Sequence, residues 1–136
     1  MRQKLGEDKV HQFRRSWDLR PDPLDKSSSY HPLNINTYKS IPSDKIPDTE
    51  SLKDTYERVI KFYKAEIQNN LSKNILISAH GNSIRALCKY LFVLDNNKIS
   101  ELEIPTGNPL VIKLENKKIS SCKYLDKNRA KDLLIF

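Results

Sequence analysis

Apolar side chains recur at Leu5, Val10, Phe13 and Trp17 within LGEDKVHQFRRSWD, a spacing that predicts a short amphipathic helix with Arg14 and Arg15 at its C-terminal end. The periodicity then stops. Five of the seven prolines fall between Pro21 and Pro47, interleaved with Ser27-Ser28-Ser29 and several Asn and Asp, so neither a long helix nor a central strand fits there. A long loop is predicted over about 19–48, and Tyr30, Leu33, Ile35, Tyr38 and Ile41 give it apolar anchors that favour a loop lying on a surface. After Asp48, Thr49 and Ser51, whose oxygens suit a helix cap, Leu52, Tyr56, Val59, Ile60, Tyr63, Ile67 and Leu71 follow at three- and four-residue intervals. This is the clearest helix in the chain, and it turns Lys53, Glu57, Lys61, Lys64 and Gln68 to water.

In NILISAHGNSIRALCKYLFVL the continuous run Ile75-Leu76-Ile77 predicts a strand buried on both faces, and the pattern then switches to a helix through Ile84, Leu87, Cys88 and Leu91. A strand running straight into a helix indicates an α/β fold. Two β-rich segments follow, Leu110 to Glu115 and Ile119 to Leu125, joined like a hairpin through Glu115-Asn116-Lys117-Lys118. The end, DKNRAKDLLIF, suits a last helical turn or two, and neither repeats nor heptads are present.

A chain of 136 residues, 38% hydrophobic and 30% charged, fits one modest domain, 1–136. It holds no stretch of roughly 18 apolar residues, and MRQKLGEDKV lacks the apolar core of a signal peptide, so a soluble, cytoplasmic protein without membrane contact is expected. Cys88 and Cys122 stand alone, with no CxxC spacing or nearby histidine; both read as ordinary thiols, and no metal site is indicated. The net charge of +7 is spread out: residues 1–47 carry nine basic and six acidic side chains, 48–109 eight of each, and 110–136 seven and three. That field favours a small anion but does not mark a nucleic-acid surface, which needs a basic stripe interleaved with aromatics.

Chemistry concentrates at Ala79-His80-Gly81-Asn82-Ser83, where the predicted strand meets its helix. Ligands of open α/β sheets bind at the carboxyl ends of strands, where helix N-termini offer unpaired N–H groups and a positive dipole end. His80 brings an imidazole, Gly81 a close backbone approach, Asn82 an amide and Ser83 a hydroxyl, a set suited to a phosphoryl group. Position alone leaves a second reading open, in which His80 ends a strand, Gly81 makes the turn and Ser83 caps the helix. Arg14-Arg15 is a second anion candidate because two guanidiniums can fork onto a carboxylate or phosphate; a solvated helix end is its alternative. His11 and His31 have no partner motif and read as surface residues.

The segments FRRSWDLRPDPLD, IPDTESLKDTYERVIKFY, NILISAHGNSIRALCKYL and LEIPTGNPLVIKLE, in this order and spacing, resemble the 2,3-bisphosphoglycerate-dependent phosphoglycerate mutases of the histidine phosphatase superfamily. The similarity runs from about Leu5 to Leu125. The resemblance implies an isomerase that interconverts 2-phosphoglycerate and 3-phosphoglycerate in glycolysis and gluconeogenesis, through a phosphohistidine and bound 2,3-bisphosphoglycerate and without a metal. It puts the family's second histidine on His80, as a stabiliser of the transferring phosphoryl group. It makes Gly81 and Asn82 ligand-binding positions, and Arg14 and Arg15 the tandem arginines for the substrate or bisphosphoglycerate anion. The fold it implies is a three-layer α/β/α sandwich around a mostly parallel sheet, and the intact enzyme is expected to be a homo-oligomer.

No Arg-His-Gly, the motif that carries the family's phosphohistidine, occurs in the 136 residues. The family's general acid-base glutamate and a lysine ligand likewise have no assigned counterpart, Lys4 included. The expected architecture is therefore an incomplete sandwich, a C-terminal part lacking the N-terminal strand with that motif, and Ile75 to Ala79 would expose an unpaired edge. A complementing N-terminal fragment, re-pairing between copies, or a reading frame that begins late are the three ways to account for it. The alternative to a mutase is a non-catalytic anion-binding remnant.

Overall fold

The computed structural model describes residues 6–130, which form two compact units parting between Asp54 and Thr55. In the first unit, helix α1 (Glu7–Arg15) falls within the predicted amphipathic segment but stops short of Trp17; Leu5 lies outside the described residues. Glu7 and Asp8 open it and Arg14 and Arg15 close it, each complementing the helix dipole. Residues 16–51 hold neither a longer helix nor a strand, only three 3-10 turns, Pro32–Asn34, Asn36–Tyr38 and Ser43–Lys45. Proline at Pro32 and the lost N–H donors account for the short pieces.

Polar side chains tie this loop down, and of the predicted apolar anchors only Leu33 and Ile35 are half-buried. Tyr30 is 82% exposed, and Tyr38 and Ile41 are exposed as well. His31, expected at the surface, is instead fully buried. Its Nδ1 accepts from the Leu33 N–H at 3.2 Å and caps the first 3-10 turn, which leaves Nε2 to donate to Asp48 Oδ1 at 3.1 Å. Asn34 donates through Nδ2 to the carbonyls of Lys26 and Ser28, both at 2.8 Å, and Thr49 Oγ1 donates to the Pro21 carbonyl at 2.7 Å.

Helix α2 (Leu52–Phe62) begins on a reciprocal cap. Ser51 Oγ accepts from the Asp54 N–H at 3.2 Å, while Asp54 Oδ2 accepts from the Ser51 N–H at 2.8 Å. Of the three residues expected to cap, only Ser51 does so; Asp48 serves His31 and Thr49 serves Pro21. Arg20 forks onto the same carboxylate, Nε to Oδ2 at 2.7 Å and Nη2 to Oδ1 at 2.5 Å. These donors, the guanidinium first, hold the Asp54 carboxyl well below the usual carboxylate range.

The second unit takes up the helix. The α-helical winding predicted to Leu71 ends at Phe62 and widens to a π turn over Tyr63–Ile67, followed by a 3-10 turn at Gln68–Asn70. Tyr63 stays buried and meets Tyr90 edge to face, ring centroids 5.7 Å apart, in a core with Ile60 and Leu87. Helix α3 (Gly81–Leu91) buries Arg85, Ala86, Leu87 and Cys88. It ends on Val93 at φ 53°, left-handed for a β-branched residue, with the Leu94 N–H returning to the Lys89 carbonyl at 3.1 Å. The short helix α4 (Asn96–Glu101), not foreseen in the sequence, is capped by Asp95, whose Oδ1 accepts from the Lys98 N–H at 2.8 Å.

Strands β1 (Leu110–Glu115) and β2 (Lys118–Tyr124) form the expected antiparallel hairpin, with one register irregularity after Lys113. Asn116 and Lys117 both have positive φ, 51° and 62°, the two-residue turn whose twist matches paired strands. A 3-10 turn at Asn128–Ala130 follows, and the rest of the predicted terminal turns lies outside the described residues. The hairpin is the whole sheet among the described residues.

The run Ile75 to Ala79 departs most from expectation. Predicted as a strand buried on both faces, it has no ladder partner among the described residues, and Ile75, Leu76 and Ile77 are 41%, 92% and 41% exposed. Its apolar pattern is that of a central strand, and the described residues supply no neighbouring strand for it to join.

Candidate functional site

His80 sits at the N-cap of α3 with extended backbone, φ −63° and ψ 149°, and its carbonyl accepts the first helical bond, from the Ile84 N–H at 3.1 Å. The N–H groups of Gly81, Asn82 and Ser83 therefore precede the first intrahelical bond and lie at the positive end of the helix. His80, Gly81 and Asn82 are all exposed, and the imidazole makes no capping bond. A Cβ placed on Gly81 would meet nothing within 4 Å, so packing among the described residues does not demand the glycine, and the space over the first turn is open. Ser83 lies inside the helix and is not its cap.

One charged side chain here escapes sequence reasoning. Arg85, flanked by Ile84 and Ala86, resembles any solvated helix position in the sequence, yet it is 5% exposed. Its Nη1 donates to Asn82 Oδ1 at 3.2 Å, and its Nη2 donates to the Ile99 carbonyl of α4. The only sequence signal is the three-residue offset from Asn82, which places both on one helix face.

Arg14 and Arg15 share the last turn of α1 in the first unit, where with Glu7, Val10 and His11 they line a shallow cleft. Arg14 is exposed and Arg15 half-buried, and His11 is exposed as expected. A second open cleft, lined by Arg20, Pro23, Pro47, Asp48, Thr49, Glu50 and Asp54, carries three carboxylates against one guanidinium and does not suit an anion. The structure thus brings together His80, Gly81 and Asn82 on one helix start, and Arg14 and Arg15 on one helix end.

Neither cysteine is in a disulfide. Burial pushes the Cys88 thiol up to about 12, which leaves it protonated and unsuited to nucleophilic attack at neutral pH. Among the described residues no cluster of three or more His, Cys, Asp or Glu is arranged to hold a metal ion, and no helix is long and apolar enough to cross a membrane.

The chain is similar to known proteins. The chain is 69% identical, over its whole length, to a 2,3-bisphosphoglycerate-dependent phosphoglycerate mutase of Pelagibacter ubique, of which it covers 58%. It is 44% identical over 97% of its length to the mutase of that name in Maricaulis maris, covering 56% of that protein. The counterpart in Borreliella afzelii is 44% identical over 94% of the chain, which covers 53% of it. The chain spans a little over half the length of these curated relatives. Residues 23–126 match the histidine phosphatase superfamily (branch 1), and on that match over most of its length the chain belongs to this superfamily.

Proposed function

We propose that this chain supplies the phosphoryl-stabilising part of a 2,3-bisphosphoglycerate-dependent phosphoglycerate mutase and acts together with a segment that carries an Arg-His-Gly histidine. The observation that supports it is the exposed His80 imidazole beside the unpaired N–H groups of Gly81, Asn82 and Ser83, in a chain 69% identical to a relative bearing that name. Phosphoryl transfer needs charge stabilisation more than covalent participation, and fixed donors at a helix start supply it without reorganising. In this reading His80, Gly81 and Asn82 contact the transferring phosphoryl group, and Arg14 and Arg15 hold the substrate or bisphosphoglycerate anion. The substrate is a phosphoglycerate, the cofactor 2,3-bisphosphoglycerate, and no step uses a metal. The chain acts as one truncated domain of the mutase type, cytoplasmic and homo-oligomeric when its sandwich is complete.

A mutase assay on the chain alone is expected to give no turnover, and turnover is expected to appear on adding a separate segment that carries an Arg-His-Gly histidine. Turnover that His80→Ala leaves intact, or none with any such complement, would overturn the reading. The exposed His80, Gly81 and Asn82 at an open helix start also suit a second reading, a non-catalytic anion-binding remnant. It predicts saturable calorimetric binding of phosphoglycerate, lost in His80→Ala and in the Arg14→Ala, Arg15→Ala double variant, with no turnover in any mixture.

A further inference from the structure

We infer that Arg85 is a positioning residue that sets the Asn82 carboxamide for an anion, an inference that rests on the phosphoryl site proposed at His80, Gly81 and Asn82. A guanidinium carries donors and no acceptor, so the group it meets on Asn82 has to be the carbonyl oxygen. The contact, Nη1 to Oδ1 at 3.2 Å, therefore fixes which way round the carboxamide sits. With Oδ1 held inward, the Nδ2 hydrogens face away from the guanidinium, and Asn82 is exposed. Two further donors are thereby presented beside the unpaired N–H groups of the first turn. Turned the other way, the same side chain would offer an anion an oxygen lone pair and repel it.

Arg85 can do this because it is itself fixed. Its second terminal nitrogen donates to the Ile99 carbonyl, in the last turn of α4, where carbonyls lack intrahelical partners. Ile99 is fully buried, so the anchor does not move with solvent. One guanidinium thus bridges two helices, with a planar fork that an ammonium on a flexible stem does not reproduce. The positive charge also polarises the carboxamide, making its N–H groups stronger donors.

The test uses the full chain, 3-phosphoglycerate as probe, and 15N-edited spectra that resolve the Asn82 side-chain amide. In the wild type the amide pair is expected to hold one orientation and to shift saturably with the probe. Arg85→Met keeps length and apolar packing but removes the donors; Arg85→Lys keeps the charge and an N–H donor but not the planar fork that reaches Asn82 and Ile99 together. Both are expected to weaken binding about tenfold, the value of one hydrogen bond to a charged acceptor. In an Asn82→Ala background neither is expected to weaken it further, and a merely structural Arg85 would add its loss there undiminished. Equal affinity in wild type and Arg85→Met, additive losses in the cycle, or an Asn82 amide signal unchanged by Arg85→Met would each overturn the inference. A wild type with no saturable shift would remove the phosphoryl-site reading itself, and the inference with it. Should Arg85→Met fail to fold, Arg85→Lys carries the same comparison.

Discussion

Residues 21–50 and residues 75–79 exchange the places that their compositions suggest. The first stretch is proline-rich and polar, yet it is knitted by a buried His31, by Asn34 bonded to two carbonyls and by Thr49 bonded to Pro21. The second is among the most apolar runs in the chain, yet Leu76 is 92% exposed. A polar loop brings its own hydrogen-bond partners in its side chains and closes locally. An apolar strand brings none for its backbone, and its order depends on a neighbouring strand. The irregular segment is self-sufficient, and the regular-looking one is conditional.

The sharpest way to break this contrast is to remove the buried imidazole. His31→Ala strands the Leu33 N–H and one bond to Asp48 and leaves a hole, with an expected loss of about 2 kcal/mol read from urea denaturation. A loss near zero would mean the loop does not depend on its polar ties. Val93 carries the next effect, because a β-branched side chain in the left-handed region costs roughly 1–2 kcal/mol. At 88% exposure it returns little packing, so Val93→Gly is expected to raise the denaturation midpoint by about 1 kcal/mol of stability.

A smaller effect follows from Asp54, whose carboxyl is held low first by Arg20 and then by Ser51. The folded value lies below the unfolded one near 3.9, so the contribution is complete above about pH 4 and fades as pH falls toward the folded value. With Arg20 59% exposed, the pair is worth no more than about 1 kcal/mol. Asp54→Asn is expected to flatten the acid limb of stability without abolishing it, since Asp25 and Asp95 are also lowered by backbone N–H donors. The smallest effect belongs to the apolar run itself: Leu76→Ser is expected to leave the stability of the chain within about 0.5 kcal/mol.

Helix α2, the start of α3 and the hairpin were legible because each depends on local signals. Ser51 and Asp54 make a cap, Ile84, Leu87 and Cys88 repeat at helical intervals, and Asn116-Lys117 is a two-residue turn between β-rich runs. His80, Gly81 and Asn82 were legible as a helix start for the same reason. The burial of His31 was not, since its partner Asp48 lies 17 residues away and no local pattern links them. Arg85 was hidden because its anchor at Ile99 is a backbone carbonyl, which every residue has. The exposure of Ile75 to Ile77 was hidden because apolar periodicity reports what a segment needs and not whether the need is met.

Amide hydrogen exchange at Ile75 to Ala79 tests the conditional strand most directly, because it reads the backbone bonds on which the contrast turns. In the chain alone these amides are expected to exchange at close to the rate of unstructured peptide. With a segment that carries an Arg-His-Gly histidine added, they are expected to become protected together with the first turn of α3. Protection already present in the chain alone, or none with that segment added, would contradict the account.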